Sequence, residues 1–130
     1  MRSLSGASLA AVALLTLGSF TAACGQVNVI KARKAFKAAN QSYQAQDYKH
    51  AAEMYAETIQ AAPETQQAHQ AYFFLGNCYD NLWKPSKRGE PENDALMTKA
   101  VENYQKAAET LASSTDPTDK TLGKRSLEFL

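Results

Sequence analysis

By type, the side chains able to act as bases, nucleophiles or soft metal ligands are His50, His69, Cys24 and Cys78. Neither histidine stands in an HExxH pair, where two imidazoles one helical turn apart would hold a zinc ion, and no Cys/His spacing of a metal site is present. Cys78 precedes Leu82 by one helical turn with no base beside it, so it reads as a buried thiol rather than a nucleophile. The chain also lacks a phosphate-binding glycine loop, a GxSxG elbow and a nucleotide fingerprint. Catalytic residues, metals and cofactors are therefore expected to be absent, and two cysteines make no disulfide framework. The chemistry left is recognition.

Cys24 takes its meaning from what precedes it. After Met1-Arg2, the stretch Leu9 to Phe20 has no charge and leads into the small residues Thr21-Ala22-Ala23. It is shorter than the ~20 residues of a typical spanning helix, so residues 1–23 read as an export signal. Small residues followed at once by Cys24 resemble the lipobox of bacterial lipoproteins, although Thr21 stands where that family prefers Leu. The resemblance implies a diacylglycerol on the Cys24 thiol, cleavage before it, and an acylated amine. Gly25 in place of Asp then implies the periplasmic side of the outer membrane. A plain secreted or periplasmic protein cut after Ala23, and an uncleaved anchor, are the alternatives.

The rest of the chain must position whatever recognises a partner, and its periodicity is helical. Val29, Ala32, Phe36, Ala39 and Tyr43 recur at spacings of three and four, as do Tyr48, Ala52, Tyr55, Ile59 and Ala62. A third set is Ala68, Tyr72, Leu75, Tyr79 and Leu82, and a fourth is Met97, Ala100, Tyr104, Ala107 and Leu111. Asp47 is an expected N-cap, Pro63 an expected stop, and no alternating β-branched stretch competes. The fold class is all-α.

The helices also correspond in pairs. Ala38-Ala39-Asn40 returns as Leu75-Gly76-Asn77 after 37 residues, and Ala51, Tyr55 and Thr58 return as Ala100, Tyr104 and Ala107 after 49. These matches resemble the tetratricopeptide repeat, a helix pair of ~34 residues with small residues where helices cross. The resemblance covers most of Ala32 to Thr110. It departs at Ser42, where an aromatic is common, at Gln46, where Gly is common, and in the longer second repeat. It implies antiparallel helix pairs stacked as a short α-solenoid: a tether and helix start over 24–31, two pairs over 32–112, and a C-terminal capping helix or truncated third repeat over 113–130.

The same resemblance implies a concave groove lined by the first helix of each pair. Arg33, Phe36, Asn40, Tyr43 and Gln44 would come from the first repeat, and Gln70, Phe73, Asn77, Asp80 and Asn81 from the second. Amides there would hydrogen-bond an extended peptide while Phe36 and Phe73 supply apolar contact. Phe36 stands where carboxylate-clamping members carry Lys, so that mode is not expected. The implied role is a protein-protein interaction module of the cell envelope, an adaptor or assembly factor. Its membrane contact would be only the lipid on Cys24.

Two segments lie outside the repeat pattern. Lys84 to Asp94 holds Pro85, Gly89 and Pro91 and changes sign along its length, so it is expected to be an exposed loop. Asp116-Pro117 marks a helix start, and the chain runs to the apolar tail Leu127-Glu128-Phe129-Leu130. That tail either packs on the second repeat, belongs to a truncated repeat, or meets a second copy, the last giving a self-associating envelope subunit as the alternative function. Formal charge singles out no polyanionic partner. Of 14 basic residues Arg2 goes with the signal, leaving 13 against 13 acidic ones, so net charge makes no case for nucleic acid or an anionic membrane.

Overall fold

The computed structural model describes residues 19–130, with side chains from Cys24 onward. The reading of 1–23 as an export signal therefore lies outside the described side chains. Five helices make up the fold: α1 (Ser19–Gln44), α2 (Tyr48–Ala61), α3 (Gln66–Leu82), α4 (Pro91–Leu111) and α5 (Pro117–Glu128), with a 3₁₀ turn at Pro85–Lys87. Among the described residues there is no strand. Each helix packs against the next, and α1 touches α3 as α3 touches α5, so the odd-numbered helices share one side of a short solenoid-like stack. This is the all-α arrangement the periodicity implies.

Local chemistry explains where the helices start. The Asp47 carboxylate accepts the His50 N–H at 3.2 Å, the Thr65 hydroxyl accepts that of Ala68 at 3.3 Å, and Asp116 accepts those of Thr118 and Asp119 at 2.8 and 3.1 Å. Each satisfies N–H groups that the first helical turn leaves without partners. Between α1 and α2 the chain reverses through Gln46 at φ 60°, the left-handed region. A glycine there would avoid a strain of roughly 1 kcal/mol.

Two cores hold the stack. The first joins Ala39, Ala51, Ala52, Tyr55, Ala71, Leu75 and Cys78, and the second joins Phe73, Ala100, Tyr104, Ala107, Leu111 and Leu122. Phe74 and Tyr79 pack against both, so the two cores are continuous. Phe74 stacks on Tyr55 with ring centres 5.5 Å apart, and Tyr43 meets it edge-on at the same separation. Small residues let the backbones approach. At Gly76 a Cβ would lie 2.9 Å from the Tyr104 ring and 3.2 Å from the Ala100 carbonyl oxygen, and at Gly123 one would lie 3.2 Å from the Leu111 Cβ.

Two boundaries differ from expectation. Residues 24–31 are helical throughout, an exposed extension of α1 rather than a tether leading into it. The 84–94 loop ends early, because Pro91 occupies the first turn of α4, where its missing N–H needs no acceptor. Asn93, 6 % exposed, closes the loop's base by accepting the Lys84 N–H at 2.9 Å and donating to the Lys84 carbonyl at 3.0 Å. At the other end α5 begins at the expected Asp116-Pro117 and buries Leu122, Gly123 and Ser126, but Leu127 and Leu130 stay exposed. Of the apolar tail only Phe129, itself 43 % exposed, packs on α3 and α4, its ring stacked on Tyr104 at 4.8 Å.

Candidate functional site

The side formed by α1, α3 and α5 is where the expected groove residues fall. Arg33, Gln44 and Asn81 are exposed, and Phe36, Asn40, Tyr43, Asn77 and Asp80 are half-buried. Tyr43 spans the gap between α1 and α3, its hydroxyl pointing to the Asn77 side-chain oxygen at 3.5 Å, the outer limit of such a contact. Phe36 meets Tyr55 edge-on at 5.9 Å and keeps part of its ring free. Burial, with the neighbouring Cys78 and Tyr48, pushes the Tyr43 phenol above its usual value, against a smaller opposing effect from Arg125. It is thus a neutral donor and acceptor at physiological pH.

Two expected contacts are not available. Phe73 is 1 % exposed and belongs to the second core, sandwiched by the Tyr104 ring at 6.0 Å and Phe129 at 6.3 Å, with the Arg125 guanidinium 5.1 Å above its face. The reason is α5, which covers the surface that Phe73 would otherwise present. Gln70 is also engaged, donating to Asp119 at 2.6 Å. Two residues that shape this end, Asp119 and Arg125, carry no signal in the sequence, being charged residues in a segment that looks solvated, whereas Phe129 belongs to the apolar tail for which packing at this end is one of the expected outcomes.

Asp119 is the polar anchor of α5. It is 4 % exposed and accepts from Gln70 at 2.6 Å, Ser114 at 2.7 Å and Gln66 at 3.2 Å. Burial pushes its carboxyl up, but the three donors and nearby His69 outweigh burial and hold it below the ordinary value.

The amides of the two repeats are used differently. Asn40 accepts the Tyr55 hydroxyl at 2.7 Å. Asn77, its counterpart, donates to the Phe73 carbonyl at 3.3 Å, while the Tyr104 hydroxyl, the counterpart of Tyr55, is buried with no partner. An unsatisfied buried hydroxyl costs ~1–3 kcal/mol. Tyr104→Phe should therefore stabilise the protein by about 1 kcal/mol, whereas Tyr55→Phe, which strands Asn40, should destabilise it by about the same amount. Urea unfolding of both variants reads the signs, and a loss of stability in Tyr104→Phe would mean that its hydroxyl is satisfied in solution.

The chemistry available is binding. Among the described residues no group of three His, Cys, Asp or Glu side chains could hold a metal ion. Cys78 is fully buried, and burial pushes its thiol up to about 12. His50 lies at the surface 3.6 Å from Glu53. Across the molecule, Trp83, Met97 and Val101 line an open cleft of about 590 Å³ beside the 84–90 loop, with the Arg88 guanidinium 5.7 Å above the Trp83 ring. No protein-family model, curated protein or solved structure matches the chain, and the meaning of the α1–α3 surface is carried by its own geometry.

Proposed function

We propose that this chain is a tetratricopeptide-like interaction module, exported to a bacterial cell envelope and held there by lipid on Cys24, that captures a peptide or helix of a partner protein on its α1–α3 surface. The observation that carries the reading is the cross-helix set Phe36, Asn40, Tyr43 and Asn77. It places half-exposed aromatic faces beside side-chain amides on one side of the stack. Such a surface offers apolar contact and hydrogen bonds to an extended backbone without any reacting group. Arg33 at one end and Arg125 on α5 add positive charge that an acidic segment would satisfy.

The test is crosslinking in the native cell followed by mass spectrometry, with Phe36→Ser/Arg33→Glu beside the wild type. A distinct protein that crosslinks to the wild type and is lost from the variant, whose melting profile stays cooperative, is the expected result. Self-crosslinks alone, unchanged in the variant, would replace this reading with a self-associating subunit. The exposed Leu127, Phe129 and Leu130 favour that second reading.

A further inference from the structure

The chain's formal net charge of +1 conceals an uneven distribution of its acidic residues. None of its 13 acidic residues precedes Asp47, so α1 carries Lys31, Arg33, Lys34 and Lys37 and no carboxylate. All four cations are exposed. The core side of α1 is Ala32, Ala35 and Ala39. Cys24, Val27, Ile30, Lys31, Lys34 and Lys37 fall on the adjoining face of the helix, outside that core. Val27 and Ile30 are 64 % and 52 % exposed, unusual for branched aliphatics on a helix whose other side is packed. With Lys31, Lys34, Ala38 and Met54 they line a shallow groove between α1 and α2.

From this face we infer a second binding surface: the N-terminal half of α1 lies flat on an anionic lipid bilayer, Val27 and Ile30 entering the interface and Lys31, Lys34 and Lys37 meeting phosphate headgroups. Aliphatic residues flanked by lysines on one helical face, with no acid on the helix, fit an anionic interface. An acidic protein would satisfy the cations and leave the two aliphatic side chains without a purpose. Position points the same way. The charge-free run Leu9 to Phe20 comes directly before the face, and Cys24 lies on it. The inference rests on the membrane-directed part of the proposed function but does not need the lipid itself.

One carboxylate lies in the way. Glu57 of α2 lines the same groove and pairs with Lys31 at 3.3 Å. It competes with headgroups for that lysine, so Glu57→Gln should tighten binding to anionic vesicles.

The experiment titrates the full chain carrying Cys24→Ser, so that no acyl chain contributes, against phosphatidylcholine vesicles and against vesicles with one part phosphatidylglycerol to three of phosphatidylcholine. The uncharged N-terminal run attaches to both alike, and the ratio of the two partition coefficients isolates the basic face. At roughly fivefold per cation, Lys31→Gln/Lys34→Gln/Lys37→Gln should remove about 100-fold of the anionic preference. The control Lys99→Gln/Lys106→Gln/Lys124→Gln on α4 and α5 should keep it. Val27→Ser/Ile30→Ser should weaken binding several-fold to both vesicle types. Absence of an anionic preference, or equal loss in the control, overturns the inference. Full binding by Val27→Ser/Ile30→Ser also overturns it, because the two aliphatic side chains would then not enter the interface. The mass of wild-type protein extracted from cell membranes tests the lipid separately, so an unacylated Cys24 would remove the anchor and leave the vesicle result standing.

Discussion

Gly76→Val should cost about 3 kcal/mol and lower the melting temperature by roughly 10–20 °C, because the position has no room for a side chain. The first carbon alone would come within 2.9 Å of the Tyr104 ring and 3.2 Å of the Ala100 carbonyl oxygen. Tyr104 cannot simply swing away, being 2 % exposed and stacked on Phe129 at 4.8 Å. The remaining response is separation of α3 from α4, which opens the second core. Gly76→Ala suffers the same contact but regains up to about 1 kcal/mol of helix propensity, so its loss should be smaller. Circular-dichroism melts of both decide the matter. A valine variant melting within a few degrees of the wild type would show that the ring yields freely.

Asp119→Ala should cost about 3 kcal/mol by a different route, since it strips Gln66, Gln70 and Ser114 of a shared acceptor in a buried place. The expected consequence is release of α5, read as faster amide exchange over Leu122 to Ser126 than over α1 and α2. Acid should act through the same carboxylate. Its folded pKa lies below the unfolded value, so its contribution to stability is complete above the ordinary carboxylate range near pH 4 and is lost as pH falls through the folded value. Asp119→Asn keeps one acceptor and cannot titrate. Its stability should therefore fall less than that of the wild type between pH 5 and pH 2. Parallel acid profiles for the two proteins would show that the carboxylate does not hold α5.

Much of the fold was legible because it rests on local rules. The three- and four-residue spacing that placed Ala32, Ala39, Ala52, Tyr55 and Ala100 on helix faces placed them correctly in the cores. Asp47 and Asp116 cap helices as their types imply. The errors arose where a distant element decides the environment of a residue. Phe73 occupies the same register as Phe36, and nothing near it distinguishes a groove side chain from a core one. The difference is made by α5, which docks through a buried carboxylate that looks like surface charge in the sequence. By type Pro91 reads as a breaker, because proline is one in a helix interior, yet in the first turn it begins a helix. The Val27–Ile30 face escaped notice because total charge averages over the chain, and its lysines are offset by carboxylates that all lie later in the sequence.

The burial of Cys78 leaves the folded protein with a single reactive sulfur. With burial raising its thiol to about 12, Cys78 stays protonated at pH 7, and the Ala- and Tyr-rich surroundings shut out reagents as well. Cys24 is exposed, so a stoichiometric count of modifiable thiols becomes a direct readout of both covalent state and folding. One equivalent means a free Cys24, none means a blocked one, and an additional equivalent appears only when the helices come apart.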